Sequence, residues 1–358
     1  MKIMFLLEPN SGIPSNTPYQ HCAIALAEGF QKLNIPFFSN INYWFDLEQN
    51  EFLFKANIQN VETDIYIYSA EYILKNNNTW QKGILQNSIN ILLDTGDWLG
   101  MTKNPVYSNT FDLILRCHYH KELLKNKKYV PWAFGLTNRI ISELEKSQNC
   151  LLDRSIYISY RVSQNLRQLS ELMVPVLNKK YQINYLITDS LEQKTNNELS
   201  ANHYWNQTGR RHNIAYYQKL NSTLMSFAFG GILEYKNPSI LYKVKEKVEK
   251  SIGIRKFNNF DLYQFDSWRL WESMASNSCT VMLDLKNWNL NLPILPDNYV
   301  HYIGIKNLDF ETASNKILAL PESEITEISR KGQKWVHKYY SPKAVAARLL
   351  ELVIKISK

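Results

Sequence analysis

The stretch DSWRLWESMASNSCTVMLD, residues 266–284, joins a helical first half to an apolar second half that is typical of a buried strand. On a helical wheel at about 100° per residue, residues 268–278 place their large apolar side chains on one arc. Glu272 falls at the border of that arc, where we expect a half-shielded carboxylate that can still reach a ligand. Asp266 or Ser267 can cap the helix, whose free N–H groups and positive dipole end favour a phosphate.

The spacing along this helix fits a nucleotide. Glu272 lies about 7 Å along the axis from the helix start, roughly the separation of a diphosphate from the ribose hydroxyls. Because a carboxylate accepts two hydrogen bonds from a vicinal diol, the stretch can hold a diphosphate at its tip and the ribose at Glu272. Spacing alone leaves open a second interpretation, an exposed ion pair between Glu272 and Arg269.

Strand and helix patterns alternate along the chain in two consecutive series. The alternation breaks at YVPWAFGLTNRI, residues 129–140, and a new series begins with SIYISYR, residues 155–161. These patterns predict an α/β protein of two doubly wound, Rossmann-like domains, with ligands at the carboxyl ends of the strands and therefore in a cleft. The polar segment 189–211 is predicted to be a long loop, an insertion or a lid.

The length, charge and cysteine content limit the classes of protein to which the chain can belong. The chain has 358 residues, enough for two domains, and its 41 Lys and Arg exceed its 33 Asp and Glu. This excess suits phosphorylated ligands or an anionic membrane surface, whereas the absence of a long basic run argues against nucleic-acid binding. The four cysteines lack CxxC spacing, so we expect buried free thiols and no zinc site.

The location predicted from the sequence is the cytoplasm. The apolar run in MKIMFLLEPNSG is too short for a signal peptide, and no run approaches the roughly 20 residues of a membrane span. We therefore expect a soluble protein, and leave open a peripheral position at the inner membrane face.

The segment YQFDSWRLWESMASNSCTVMLD, residues 263–284, resembles the donor-binding motif of GT-B fold glycosyltransferases of the group-1 or spore-maturation-type branch. That pattern is roughly D-x-x-R-x-x-E-A-x-A-x-G before a strand. Gln264 stands where the family's EX7E motif has its first acid, so the stereochemistry of transfer stays open. The matches are Asp266, Arg269, Glu272 and Ala275, and the departures are Ser273 and Asn277.

Two further segments agree with this resemblance. YVPWAFG, residues 129–135, is similar to the family's interdomain hinge, and GQKWVHKYYSPKAVAARLLEL, residues 332–352, to its closing segment. The resemblance implies an acceptor-binding domain at 1–135, a donor-binding domain at 136–340 and a last helix, 341–358, that crosses back to the first domain.

The resemblance also implies the reaction, which is transfer of a sugar from a nucleotide diphosphate sugar to an acceptor. Cation-binding DxD motifs are absent from the sequence, which fits metal-independent transfer with no cofactor beyond the nucleotide-sugar co-substrate. The acceptor stays open among glycans, lipids, peptides and small metabolites.

Other candidate residues follow predicted strands. Each also has an ordinary interpretation as a turn, a cap or a satisfied polar group. For donor binding, the candidates besides Asp266, Ser267, Glu272 and Gln264 are Gly12, Arg161, Lys236 and Gly230. For the base that takes the acceptor's proton they are Asp97, His118 and His21, and for acceptor binding they are Asp94 and Trp98.

Two alternative functions remain at this point. One is a GT-B-like sugar-nucleotide epimerase or phosphorylase, which would turn over without an acceptor. The other is a catalytically silent nucleotide-sugar-binding protein, which Gln264 favours because it replaces an acid. A nicotinamide-dependent Rossmann enzyme is more distant, since no GxGxxG follows any predicted strand.

Overall fold

A computed structural model of the chain describes most of its residues. The described ranges are 1–11, 16–57, 63–76, 87–120, 125–148, 150–160, 162, 165–185, 199–209, 214–235, 260–306 and 308–357.

The first half of the chain builds a parallel sheet of six strands in the order β2-β1-β5-β6-β7-β8, and β3 and β4 form a separate antiparallel pair. Apolar runs form these strands because both faces of the sheet are covered; in β6 every residue after the first is buried. The strands are β1 (Ile3–Leu6), β2 (Phe37–Ser39), β3 (Tyr43–Asp46), β4 (Glu51–Phe54), β5 (Ile65–Ser69), β6 (Ile89–Asp94), β7 (Leu113–Arg116) and β8 (Tyr129–Pro131).

The second half builds a parallel sheet of five strands in the order β10-β9-β11-β14-β15, and β12 and β13 pair antiparallel beside it. The strand predicted at the end of the opening stretch is β14, which is buried throughout. The strands are β9 (Asp153–Ile158), β10 (Gln182–Tyr185), β11 (Thr223–Phe227), β12 (Leu233–Tyr235), β13 (Phe260–Leu262), β14 (Cys279–Leu283) and β15 (Ile303–Ile305).

Helices connect the strands and close the chain. Two short 3-10 turns, Gly100–Lys103 and Glu171–Met173, interrupt the connections. The helices are α1 (His21–Lys32), α2 (Ala70–Lys75), α3 (Pro105–Thr110), α4 (Asn138–Lys146), α5 (Asn165–Ser170), α6 (Val174–Leu177), α7 (Leu199–Gln207), α8 (Ile214–Ser222), α9 (Trp268–Ala275), α10 (Phe310–Ala319), α11 (Glu322–Tyr340) and α12 (Pro342–Ile356).

The predicted α/β architecture with two parallel sheets is confirmed. The prediction of a long loop at 189–211 is wrong for residues 199–207, which form α7, while the alternatives of an insertion or a lid remain predictions. Its polar sequence has little periodicity, so local pattern could not reveal it. The Gln207 amide accepts from the Phe45 N–H at 2.7 Å and donates to the Phe45 carbonyl at 2.9 Å, which fixes α7 against β3. Residues 186–198 lie outside the described part.

The last helix, α12, packs against α1 of the first half. Gly29 makes this contact close, because a Cβ added there would lie 2.1 Å from the Pro342 carbonyl oxygen and 2.6 Å from the Ala346 Cβ. The chain enters α12 directly from α11, with Ser341 as the N-cap residue and Pro342 in the first turn. None of the described helices is long and apolar enough to cross a membrane.

Replacing Gly29 by Ala should destabilise the protein, because the added methyl group meets backbone and forces α1 and α12 apart. We expect the free energy of unfolding to fall by about 1–3 kcal/mol or more, the range for overpacked cores. Denaturant unfolding measures this change. Lys343→Ala, at an exposed position of the same α12, is the control and should lie within about 0.5 kcal/mol of wild type. An unchanged Gly29→Ala variant would contradict the close packing.

Candidate functional site

The carboxyl ends of the two parallel sheets face each other across a cavity of about 380 Å³. The first half contributes side chains that follow β1, β5, β6 and β7, and the second half contributes α5 and the start of α9. This is the cleft that the alternating pattern predicts. The lining residues used below are Glu71, Asp97 and His118 on the first-half wall and Arg167, Gln264, Asp266, Ser267 and Arg269 on the second-half wall.

Asp97 is the half-exposed carboxylate of the first-half wall, and donors from both halves surround one of its oxygens. The Gln264 amide donates to Asp97 Oδ1 at 2.6 Å across the cavity. The Nε2 atom of His118 lies 3.6 Å from the same oxygen. Among the described residues Asp97 Oδ2 has no hydrogen-bond partner, so this oxygen is available to a ligand.

The protonation of His118 follows from its surroundings. Burial, and after it the charge of Arg116, lowers the pKa of His118 well below its ordinary value of 6.5, so the ring is neutral. Its Nδ1 accepts from the Asp266 backbone N–H at 3.2 Å. A neutral ring that accepts at Nδ1 carries its proton on Nε2, which therefore points a donor at Asp97.

A buried ion pair holds the loop that carries Asp97. Arg116 and Asp94 are both fully buried and lie 3.0 Å apart. The Arg116 guanidinium also donates to the Gly96 and Trp98 carbonyl oxygens, each at 2.6 Å. The prediction that Asp94 binds the acceptor is wrong, because Asp94 is fully buried and its carboxylate pairs with Arg116.

Asp266 links the hinge to α9. Its Oδ2 accepts from the Phe134 N–H at 3.0 Å and its Oδ1 from the Trp271 indole N–H at 2.5 Å. Burial raises the pKa of Asp266 to about 7, although these N–H donors oppose the shift. The residue borders the cavity as predicted, but its carboxylate oxygens bind protein groups and do not extend toward a donor.

Two guanidinium groups give the second-half wall its positive charge. Burial, and after it the neighbouring charge of Arg269, lowers the pKa of Arg167 to about 10, which leaves it charged at neutral pH. The Nε–H of Arg269 donates to the Ser159 carbonyl oxygen at 3.0 Å. Ser267 is the N-cap residue of α9 and lies beside them on the same wall. Like charges beside a cavity favour an anion between them.

Glu272 does not occupy the half-shielded border that the helical wheel predicts. It is fully buried, and its carboxylate accepts from Tyr216 at 2.8 Å and from Tyr217 at 3.1 Å. The interpretation as an exposed ion pair with Arg269 is therefore also wrong. Both tyrosines come from α8, which covers the face of α9 that was expected to be open.

Three other candidates lie away from the cavity lining. His21 is buried, with Nδ1 at 3.0 Å from the Tyr19 hydroxyl and Nε2 at 3.0 Å from the Gly135 carbonyl. Trp98 is 43 % exposed and stacks on Tyr263 at 5.9 Å. Gly230 presses against the Gln264 backbone, since a Cβ there would lie 2.0 Å from its carbonyl oxygen. Gly12, Arg161 and Lys236 lie outside the described residues.

Arg167 and Glu71 line the cavity although no motif in the sequence points to them, and Arg269 matches the motif without an assigned role in the site. Arg167 lies in the first helix after the first strand of the second half, which is the sequence signal that could have found it. Glu71 opens the helix after β5. Burial raises the pKa of Glu71 to about 7. Both positions follow strand ends, where side chains reach the cleft.

Asp266 should make stability depend on pH. Its pKa is about 7 in the folded protein and near 3.8 when unfolded, so the folded state binds more protons in between. The stability it contributes is full below about pH 4 and is lost as the pH rises to about 7. We therefore compare the free energy of unfolding of wild type with that of Asp266→Asn. The wild-type value minus the variant value should fall by up to about 4 kcal/mol between about pH 4 and pH 7, and should stay constant above about pH 7.

Unfolding curves at several pH values test this. Glu324→Gln makes the matching change at an exposed acid of the second half and is the control. A constant difference for Asp266→Asn from pH 4 to 8 would contradict the raised pKa.

Comparison with known proteins identifies the fold. No protein-family model matches the chain, and no curated protein matches its sequence. AviGT4, a glycosyltransferase involved in avilamycin A biosynthesis, matches with a TM-score of 0.57 and 10% identity, over 99% of this chain and 97% of that chain. A glycosyltransferase from Rickettsia africae ESF-5 matches with a TM-score of 0.51 and 12% identity, over 100% of this chain and 98% of that chain. At such identities the likeness concerns the fold, and the chain has the predicted GT-B fold.

Proposed function

We propose that the chain transfers a sugar from a nucleotide diphosphate sugar to an acceptor hydroxyl in this cavity. One observation carries the proposal. A single cavity between two parallel sheets sets Arg167 and Arg269 on one wall and the half-exposed Asp97 on the other. The first wall suits an anionic leaving group, and the second suits a proton acceptor, which are the two requirements of glycosyl transfer.

Donor binding is assigned to the second-half wall. Arg167 and Arg269 pair with the diphosphate, and the N–H groups at the start of α9, beside Ser267, add the positive end of a helix dipole. Their charge stabilises the leaving nucleoside diphosphate without a metal ion. The side chain of Gln264 reaches from this wall to Asp97, and the transferred sugar would lie beside it.

Asp97 is assigned as the base among the three sequence candidates. His21 has both ring nitrogens engaged. His118 presents a proton at Nε2 and accepts at Nδ1, so it supports Asp97 instead of replacing it. Asp97 keeps Oδ2 for the acceptor's hydroxyl. Trp98, the next residue, lies outside the cavity lining, and its exposed part would contact a portion of the acceptor that extends beyond the cavity.

Several finer assignments remain predictions. A ribose contact by Glu272 requires the hydroxyls of Tyr216 and Tyr217 to release its carboxylate. Donor contacts by Gly12, Arg161 and Lys236 concern residues outside the described ranges. The division at residues 135 and 340, the cytoplasmic location and membership of the group-1 or spore-maturation-type branch also remain predictions.

A thermal-shift screen of UDP, GDP, dTDP, CDP and their sugars should find at least one ligand that raises the Tm. Arg269→Ala should weaken the affinity for that ligand by at least about tenfold, because a charge-assisted hydrogen bond to phosphate contributes more than about 1.4 kcal/mol. Arg154→Ala removes an exposed arginine of the same half and is the matched control, expected to bind as wild type does. Equal binding by all three proteins would remove Arg269 from the site.

Glu272→Ala in the same screen tests the ribose contact. If Glu272 grips the ribose, the variant loses the thermal shift that the wild type shows. A variant that binds the ligand as tightly as wild type would remove Glu272 from the site and leave it the role of bonding Tyr216 and Tyr217.

Asp97→Asn should lower kcat by roughly 10²–10⁴-fold, the usual contribution of a general base, while donor affinity stays within about twofold of wild type. Release of nucleoside diphosphate measures the rate, and the thermal shift measures binding. Asp46→Asn, on the β3–β4 hairpin, is the matched control. Donor binding by the wild type without any release of nucleoside diphosphate would instead favour the silent nucleotide-sugar-binding protein.

A further inference from the structure

We propose that the acceptor is an oligosaccharide of at least two sugar rings, whose outer ring stacks on the indole of Trp98. This inference rests on the proposed function and adds the chemical class of the acceptor, which the sequence leaves open. Three features of Trp98 support it, which are its exposed ring, the strained backbone that presents this ring, and its position directly after Asp97.

The indole of Trp98 is supported by other aromatic rings. Tyr263 of the second half stacks on Trp98, with ring centroids 5.9 Å apart and 25° between the ring planes. Tyr263 also stacks on His120, at 5.1 Å and 16°. The Nε2 atom of His120 lies 3.6 Å from Asp261 Oδ1, which belongs to β13. The indole is nevertheless 43 % exposed, so a supported part of its surface is left for a ligand.

The backbone of Trp98 is strained. Its φ of +61° lies in the left-handed region, which is rare for a bulky side chain. The Arg116 guanidinium donates to the Trp98 carbonyl oxygen at 2.6 Å, and the surrounding structure thereby maintains the strain. A strained residue that served core packing would bury its ring, whereas this ring stays half-exposed. The conformation therefore presents the indole to a ligand.

The position of Trp98 sets the smallest size of the acceptor. Asp97 lines the cavity and Trp98 does not, although the Cα atoms of consecutive residues lie only about 3.8 Å apart. The hydroxyl that gives its proton to Asp97 therefore belongs to a group inside the cavity, and the indole contacts what is attached to that group on its outer side. In an oligosaccharide a second sugar ring occupies this place, whereas a monosaccharide ends before it.

The chemistry of the first-half wall favours a carbohydrate. The Glu71 and Asp97 carboxylates and the Thr95 hydroxyl line this wall, and such groups form hydrogen bonds with the hydroxyls of a sugar. An aromatic face beyond them fits the C–H face of a second sugar ring. An acyl or isoprenyl chain that ran from the cavity to the indole would cross Asp97 and desolvate its carboxylate, which costs free energy. A sugar at the same place bonds that carboxylate through a hydroxyl.

Release of nucleoside diphosphate from the donor that the screen selects tests the inference, with defined acceptors. These are the monosaccharides, disaccharides and trisaccharides of glucose, galactose, mannose and N-acetylglucosamine, together with an isoprenyl phosphate and a peptide rich in serine and threonine. We expect at least one disaccharide whose kcat/KM exceeds that of its monosaccharide by about fivefold or more, because the outer ring adds the stacking contact.

Trp98→Ala should abolish this preference, so that the ratio of the disaccharide kcat/KM to the monosaccharide kcat/KM falls to about one. General damage to the fold lowers both values alike and leaves the ratio unchanged. Trp98→Phe keeps an aromatic face and should retain most of the preference. Tyr299→Ala is the matched control, since Tyr299 is also an exposed aromatic residue with a left-handed φ, of +57°, and lies outside the cavity lining. It should keep the wild-type ratio.

The remaining outcomes separate this inference from the proposed function. An unchanged ratio in Trp98→Ala would overturn the stacking contact. Transfer to the isoprenyl phosphate, to the peptide or to monosaccharides as efficiently as to the disaccharides would overturn the oligosaccharide acceptor and leave the proposed transfer intact. Absence of donor binding, or donor binding without release in the presence of every acceptor, would overturn both.

Discussion

The buried carboxylate of Asp266 is the constraint on which the site depends. Burying a charge in this way is costly, and it is stable only because hydrogen bonds satisfy it. Its two oxygens hold the Phe134 N–H of the hinge and the Trp271 indole of α9, while its own N–H fixes His118. One side chain therefore sets the hinge, the start of the donor-side helix and the tautomer of the histidine that faces Asp97.

The parts of the fold that depend on local pattern could be predicted from the sequence. Apolar runs such as Ile89–Asp94 predicted strands because a doubly covered parallel strand needs apolar residues on both faces. Placing Asp97, His118 and Gln264 near one cleft followed from strand ends and from the motif. The sequence does not indicate that Gln264 and His118 both face Asp97 Oδ1, because the three residues are far apart along the chain.

The predictions that failed are those that assumed solvent where another part of the chain packs. The helical wheel predicted that Glu272 is partly open to solvent. Tyr216 and Tyr217, which lie 56 and 55 residues earlier in the chain, cover it instead. Asp94 lies at the end of a strand, as a ligand-binding acid would, yet its carboxylate forms an ion pair with Arg116 on the neighbouring strand. In both cases tertiary partners decide the role of a carboxylate, and periodicity carries no information about such partners.

Several contacts join the two halves, and two of them restrict how the halves move. The hinge carries the Asp266–Phe134 contact, and α7 is fastened to β3 by the paired Gln207–Phe45 hydrogen bonds. Movement of the second half away from the first therefore breaks the Gln264–Asp97 hydrogen bond and strains the pairing of α7 with β3.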